Sequence, residues 1–252
     1  MSFTDKIVAQ FKSLLWALVV VMVVRTFFYQ LFNIPSGSMH PNLMEGDFLI
    51  VNKMTYGYGN HSFPFSPPIL SDRIFAKVPK RGEIVVFHNP HHRDPITQKM
   101  EGADYIKRLI GLPGDRIQVT KGVLHINGKA VKLEPAGTYQ YIDTSGQLQV
   151  VKKLKETFPD GNVHIVLRDP TADDAPHNNT DEFVVPKGHF FMMGDNRDHS
   201  QDSRWLKEVG YVPFKNLMGR AELLVFSTGA KWYEIMKWPF SIRFDRIMTQ
   251  IH

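Results

Sequence analysis

The sequence predicts a mainly β fold: an N-terminal transmembrane helix, then a β-sheet domain that carries an inserted, smaller β-rich lobe. Three observations point to it. One uninterrupted apolar stretch, Leu14–Val24, stands near the N-terminus. The rest of the chain breaks into short runs of β-branched and aromatic residues bounded by Gly, Pro, Asn and Asp. Two pairs, Asn127-Gly128 and Ser145-Gly146, each separate two such runs in the manner of a hairpin turn.

The first element is the anchor. Leu14–Val24 reads LLWALVVVMVV, and Thr26–Phe32 stays apolar beyond the single Arg25. As one helix, residues 11–32 would be about 33 Å long, which matches a hydrocarbon core of about 30 Å. Arg25 would sit toward one end and reach the interface. A cleaved secretory signal needs small residues at the cleavage position and two before it. The stretch RTFFYQLFNIP after Val24 offers no such pair, so the segment reads as a retained anchor. A helix buried in a globular core is the weaker reading, because nothing else in the sequence is helical enough to enclose it. Lys6 and Lys12 against Asp5 keep residues 1–10 in the cytoplasm. Residues 33–252 would then lie outside it.

Strands follow. Asp47–Lys53, Glu83–Phe87, Tyr105–Ile110, His189–Met193 and Gly219–Ser227 are β-type runs. Val123–Ile126 and Lys129–Leu133 flank Asn127-Gly128, while Tyr139–Ile142 and Leu148–Val151 flank Ser145-Gly146. Gly57–Pro79, His88–Gly102 and Pro170–Thr180 read as loops. Residues of about 116–188 are expected to form the inserted lobe, accessory to whatever the flanking segments do. No repeat recurs at a fixed period.

Composition narrows the function. The chain has 252 residues, 43% of them hydrophobic and 22% charged, enough apolar matter for a folded core. It has no cysteine, which rules out disulfides, thiolate catalysis and cysteine-ligated zinc. The net charge of +5 is scattered. It suits an anionic membrane surface or an ordinary solvated one, and no basic run marks a nucleic-acid-binding helix.

Three polar blocks could carry chemistry. In Ile34-Pro35-Ser36-Gly37-Ser38-Met39-His40-Pro41, prolines and glycine fix a turn that presents two hydroxyls. Alone, Ser-Gly-Ser is usually an ordinary turn. In Asp104–Asp115, strand alternation puts Tyr105, Lys107 and Leu109 on one face, a low-dielectric setting for a lysine. Alone, it reads equally as an edge-strand lysine facing water. The third block, Gly194–Arg204 (GDNRDHSQDSR), is dense in hydrogen-bonding groups. Asp195, Asn196, Asp198 and Asp202 are oxygen ligands, but the spacing of an EF-hand is not met. His88, His91 and His92 read as solvated loop histidines rather than a metal site.

Taken together and in this order, the blocks resemble those of bacterial type I signal peptidases, Ser–Lys dyad serine proteases. The resemblance rests on PSGSMHP, LMEGDFLIVNK, RGEIVVF, YIKRLIGLPGD and GDNRDHSQDSR, and covers most of residues 24–226. It implies a membrane-bound endopeptidase that removes signal peptides from exported preproteins after small residues at −3 and −1. By the family pattern, Ser38 is the nucleophile and Lys107 the general base. Ser36, with the Ser38 N–H, matches the oxyanion hole, and Ser200 matches the residue that orients the lysine. Asp202 and Arg204 match a supporting ion pair. Phe32, Ile34, Pro35, Met39, Leu43, Leu49, Tyr105 and Ile106 match substrate-pocket positions. The implied partners are signal peptides and the phospholipid bilayer, with no nucleic acid, no cofactor and no metal. The implied location is the inner membrane, single-pass, with the catalytic domain on the periplasmic side.

The sequence departs from the family in three ways. It shows one membrane segment where some members have two. It lacks the cysteine pair some carry. Trp205–Gly210 (WLKEVG) replaces the usual Tyr-Trp-Gly. Two rivals remain. One is a self-cleaving Ser–Lys protease of repressor type, which would carry a DNA-binding domain where this chain has its anchor. The other is a non-enzymatic, membrane-tethered β module that binds exported chains.

Overall fold

The computed structural model describes residues 3–94, 97, 99–143, 145–230 and 234–251. It opens with helix α1 (Phe3–Phe27), in which an 18-residue stretch of Thr4–Phe27 has a mean hydropathy of 2.2 and no part buried in the protein. The helix begins and ends earlier than the expected 11–32. Aromatic and apolar residues after Phe27 have strand propensity, and they form β1 (Tyr29–Asn33), paired antiparallel with β2 (Asp47–Asn52).

The chain continues through β3 (Ile84–Asn89), β4 (Ala103–Gly111), β5 (Arg116–Thr120), β6 (Val123–Ile126) and β7 (Lys129–Ala130). Then come β8 (Lys132–Ile142), β9 (Leu148–Thr157), β10 (Val163–Arg168), β11 (Phe183–Val184) and β12 (His189–Met193). Last are β13 (Val212–Pro213), β14 (Leu217–Ser227), the short helix α2 (Trp238–Ser241) and β15 (Thr249–Gln250). The main sheet runs β1-β2-β14-β3-β4-β12-β13, with β15 against β14.

Both faces of the main sheet are covered, which explains its near-continuous apolar strands. On β3, Ile84 and Val86 enter a core with Ile34, Met39, Leu43, Leu49 and Leu224. Val85 and Phe87 enter another with Leu109, Phe190, Met192 and Leu217. The antiparallel pairing of β3 with β4 puts Val85 opposite Lys107, so the core around β3 holds the lysine strand in register.

Residues 116–188 contain two sheets, β11-β5-β6-β7 and β10-β9-β8. The first shares its core with the main sheet: Ile117, Val119, Leu124 and Phe158 pack with Ile110, Phe191 and Met193. At its hairpin, Asn127 (φ 53°) and Gly128 (φ 76°) adopt the left-handed turn their sequence signals. The second sheet carries the long β8–β9 hairpin, whose β8 end returns to the segment after β1.

Candidate active site

Ser38 sits in a 3₁₀ turn, Gly37–Met39, that follows β1. Buried Met39 pins the turn to the core, and its carbonyl accepts the Leu43 N–H at 2.9 Å. From the other side, Asn196 N–H donates to Ser38 C=O and Asn196 Nδ2 to Gly37 C=O, both at 3.1 Å. The loop after β12 is thus stitched to the serine turn.

Strand alternation on β4 separates two cations. Lys107 Nζ lies 2.7 Å from Ser38 Oγ and 3.1 Å from the Ile106 carbonyl oxygen. On the opposite face, the Arg108 guanidinium grips the buried Asp195 carboxylate through two bonds of 2.8 Å. Lys107 is only 4% exposed, with its Nζ 5.5 Å from the centre of the Tyr105 ring. Burial pushes its pKa down to about 8; the Asp202 and Asp195 carboxylates oppose the shift and Arg204 adds to it. A lysine at that value is about one-quarter neutral at pH 7.5, against about one part in a thousand for an unperturbed one.

Ser36 Oγ is 3.4 Å from Ser38 Oγ. Asp202 and Arg204 pair through two 2.9 Å bonds, with both side chains fully buried. The Asp202 carboxylate also accepts the Gly194 N–H at 3.0 Å and the Arg204 N–H at 3.3 Å. Ser200 departs from the expected arrangement. Its Oγ is buried, and no partner, Lys107 included, meets it in bonding geometry. Lys107 is oriented here by Ser38 and the Ile106 carbonyl instead.

A cleft of about 620 Å³ opens beside Ser38 and Lys107. Of the expected pocket residues, Pro35, Tyr105 and Ile106 line it. Ile34, Met39, Leu43 and Leu49 lie beneath as buried core, and Phe32 packs against them partly buried. The acidic side chains of the third block do not converge as ion ligands: Asp195 pairs with Arg108, Asp198 with Arg168 and Asp202 with Arg204. Among the described residues, no cluster of three or more His, Asp or Glu could hold a metal. His88 bonds Asp104 at 3.1 Å and His92 bonds the Tyr105 hydroxyl at 3.0 Å, so these two are not freely solvated, whereas His91 is exposed. Trp205–Gly210 folds as a tight turn in which the Trp205 carbonyl accepts the N–H groups of Glu208, Val209 and Gly210.

Several residues of the site were not legible beforehand. Tyr141, from the β8–β9 hairpin, lines the cleft and accepts Asn196 Nδ2 at 2.9 Å, so the insertion supplies a wall of the site. Gly194 is needed for close approach. A Cβ there would overlap Ser200 Oγ and lie 2.5 Å from the Ser38 carbonyl oxygen. Arg108 carried a signal: alternation sends it into the face opposite Lys107, where a buried guanidinium requires a carboxylate.

The profile of the family described as signal peptidase, peptidase S26, matches residues 7–226. The signal peptidase I of Rickettsia canadensis (strain McKiel) is 36% identical, over 99% of this chain and 96% of that protein. That of Rickettsia typhi (strain ATCC VR-144 / Wilmington) gives the same identity and coverage. Among solved structures, a signal peptidase I from Enterococcus faecalis V583 is 24% identical with a TM-score of 0.32, covering 57% of this chain and 97% of that one.

Proposed function

Because the chain belongs to the peptidase S26 family of signal peptidases, we propose that it is a membrane-bound serine endopeptidase that removes signal peptides from exported preproteins by a Ser–Lys dyad. The observation that carries this reading is the 2.7 Å contact between Ser38 Oγ and a buried lysine at the edge of an open cleft. Serine is a poor nucleophile at neutral pH and needs a base beside it. Lys107 accepts the Ser38 proton as Oγ attacks the scissile carbonyl. The Ser36 hydroxyl and the Ser38 N–H stabilise the oxyanion. Lys107 then gives its proton to the leaving amine, and the signal peptide remains as an ester on Ser38. A water that passes its proton to Lys107 hydrolyses that ester. No step calls for a metal or cofactor. Asp202 and Arg204 hold the loop that carries Ser200 against the dyad.

Specificity follows from the floor of the cleft. Ile34, Met39, Leu43 and Leu49 are packed core and leave little depth, so small residues at −3 and −1 fit and larger ones overlap. On this reading α1 is the anchor, the chemistry takes place at the inner membrane and the catalytic domain lies on the periplasmic side. The large apolar side chains of α1 are exposed from the protein along the whole helix, as lipid contact requires.

Purified protein is expected to cut a peptide containing an Ala-Xaa-Ala site after the second alanine, and Ser38→Ala to lower kcat/KM by on the order of 10⁴-fold. Persistent cleavage by the alanine variant would remove Ser38 from the chemistry. Cutting only of the protein's own chain would favour the repressor-type rival, and binding without cutting the β module. In spheroplasts, added protease should digest the chain beyond Ile34; protection there reverses the orientation.

A further inference from the structure

The last carbonyls of a helix have no partner within it. At the end of α1 two of them, and the Phe28 carbonyl just beyond, are claimed by the catalytic domain. Lys53 Nζ donates to the Arg25 carbonyl at 3.2 Å, and the Lys53 N–H to the Phe28 carbonyl at 3.0 Å. The Tyr58 hydroxyl donates to the Phe27 carbonyl at 2.8 Å. The Phe27 ring meets Tyr58 and Phe63 edge-on, with centroids 6.0 and 6.1 Å apart. Lys53 is 2% exposed, and its second Nζ partner is the Gln30 side-chain oxygen at 3.0 Å. Burying an ammonium against neutral oxygens is costly, whereas an exposed lysine would serve a helix end as well. The burial therefore answers to geometry rather than to charge.

Lys53 follows directly on β2, and β2 pairs with both β1 and β14. Strand β1 begins two residues after α1 and ends five before Ser38. The helix end, the central sheet and the nucleophile turn are thus joined through a few residues. We propose that Lys53 and Tyr58 form a clasp that fixes the axis of α1 to the catalytic sheet and so sets the height of Ser38 over the bilayer. They are positioning residues for a substrate held in the membrane and not for a soluble peptide. A membrane-inserted signal peptide presents its scissile bond at one depth. A hinge at Phe28 would let the sheet swing away from that depth and dilute the productive encounter. The inference rests on the proposed activity and on α1 spanning the membrane.

The test compares full-length wild type, Tyr58→Phe, Lys53→Met and the double variant in phospholipid vesicles. Each is given a soluble Ala-Xaa-Ala peptide and, separately, a preprotein inserted in the same vesicles. The double variant is expected to lose about tenfold or more in kcat/KM on the inserted preprotein and less than about twofold on the peptide. Tyr58→Phe deletes one hydroxyl and should shift the same ratio in the same direction, even if Lys53→Met folds poorly. Equal losses on both substrates would mean general damage to the site and overturn the proposal, as would no loss on either. Wild type that cuts neither substrate would fail the proposed activity instead. Since the chain has no native cysteine, spin labels at Val20→Cys and Gln250→Cys report the helix-to-sheet distance directly. Its distribution should be narrow in otherwise native protein and broad in the double variant; equal widths would also overturn the clasp.

Discussion

Lys107→Arg is expected to reduce kcat/KM by on the order of 10⁴-fold, and Lys107→Ala by a similar factor. Arginine keeps the positive charge and the donors, but it stays protonated and cannot take the serine proton. The two variants separate the roles of the lysine: arginine preserves charge and loses basicity, while alanine loses both. If basicity is what matters, they fall together. Both should bind a non-cleavable signal-peptide analogue with a Kd near that of wild type, since Tyr105, Ile106 and Pro35 still wall the cleft. Steady-state kinetics with a binding titration and a thermal melt checks this. Turnover near the wild-type rate in Lys107→Arg would show that the lysine supplies charge or packing instead. Ser200→Ala should lose much less, because its hydroxyl makes no bond to Lys107 in this structure.

Gly194→Ala is expected to cost about 10²-fold in kcat/KM together with about 1–3 kcal/mol of stability. The added Cβ would meet the Ser200 side chain and sit 2.5 Å from the Ser38 carbonyl oxygen. Something must move, and the movable party is the serine turn, held to this loop by the Asn196 N–H. A shift of about 1 Å there would break the 2.7 Å approach of Ser38 to Lys107. The loss should therefore appear mainly in kcat, with KM little changed. A kcat preserved despite a lowered Tm would show that the overlap is absorbed on the Ser200 side and that the serine turn is independent of Gly194.

What could be read in the sequence tracks how local the physics is. Period-two alternation on β4 was enough to put Tyr105, Lys107 and Leu109 on one face, because side-chain direction in a strand is fixed by the backbone. Asn127-Gly128 announced its hairpin for the same reason. The end of α1 falls short of the expected Phe32 because apolar character continues past the helix, and only pairing with β2 turns those residues into a strand. The part of the site that depends on distant contacts stayed hidden. Nothing local marks Tyr141 as a cleft residue; it arrives there because the β8–β9 hairpin folds back over the serine turn. Nor does anything local show that Leu43 and Leu49 pack beneath the cleft instead of lining it. The serine and the lysine are 69 residues apart, and only the joint order of the blocks linked them in the sequence.

The central claim is that a buried, largely desolvated Lys107 is the base, and the pH dependence of kcat/KM on a soluble Ala-Xaa-Ala peptide tests it most directly. The active form is the neutral amine, so activity should rise as the lysine loses its proton. Burial holds its pKa at about 8. The profile should climb about tenfold per pH unit below that value and level off above it. The limb should be missing from the residual rate of Lys107→Ala. A wild-type limb that appears only near the ordinary lysine value, or a rate flat from about pH 6 to 9, would contradict the assignment of Lys107 as a neutral general base.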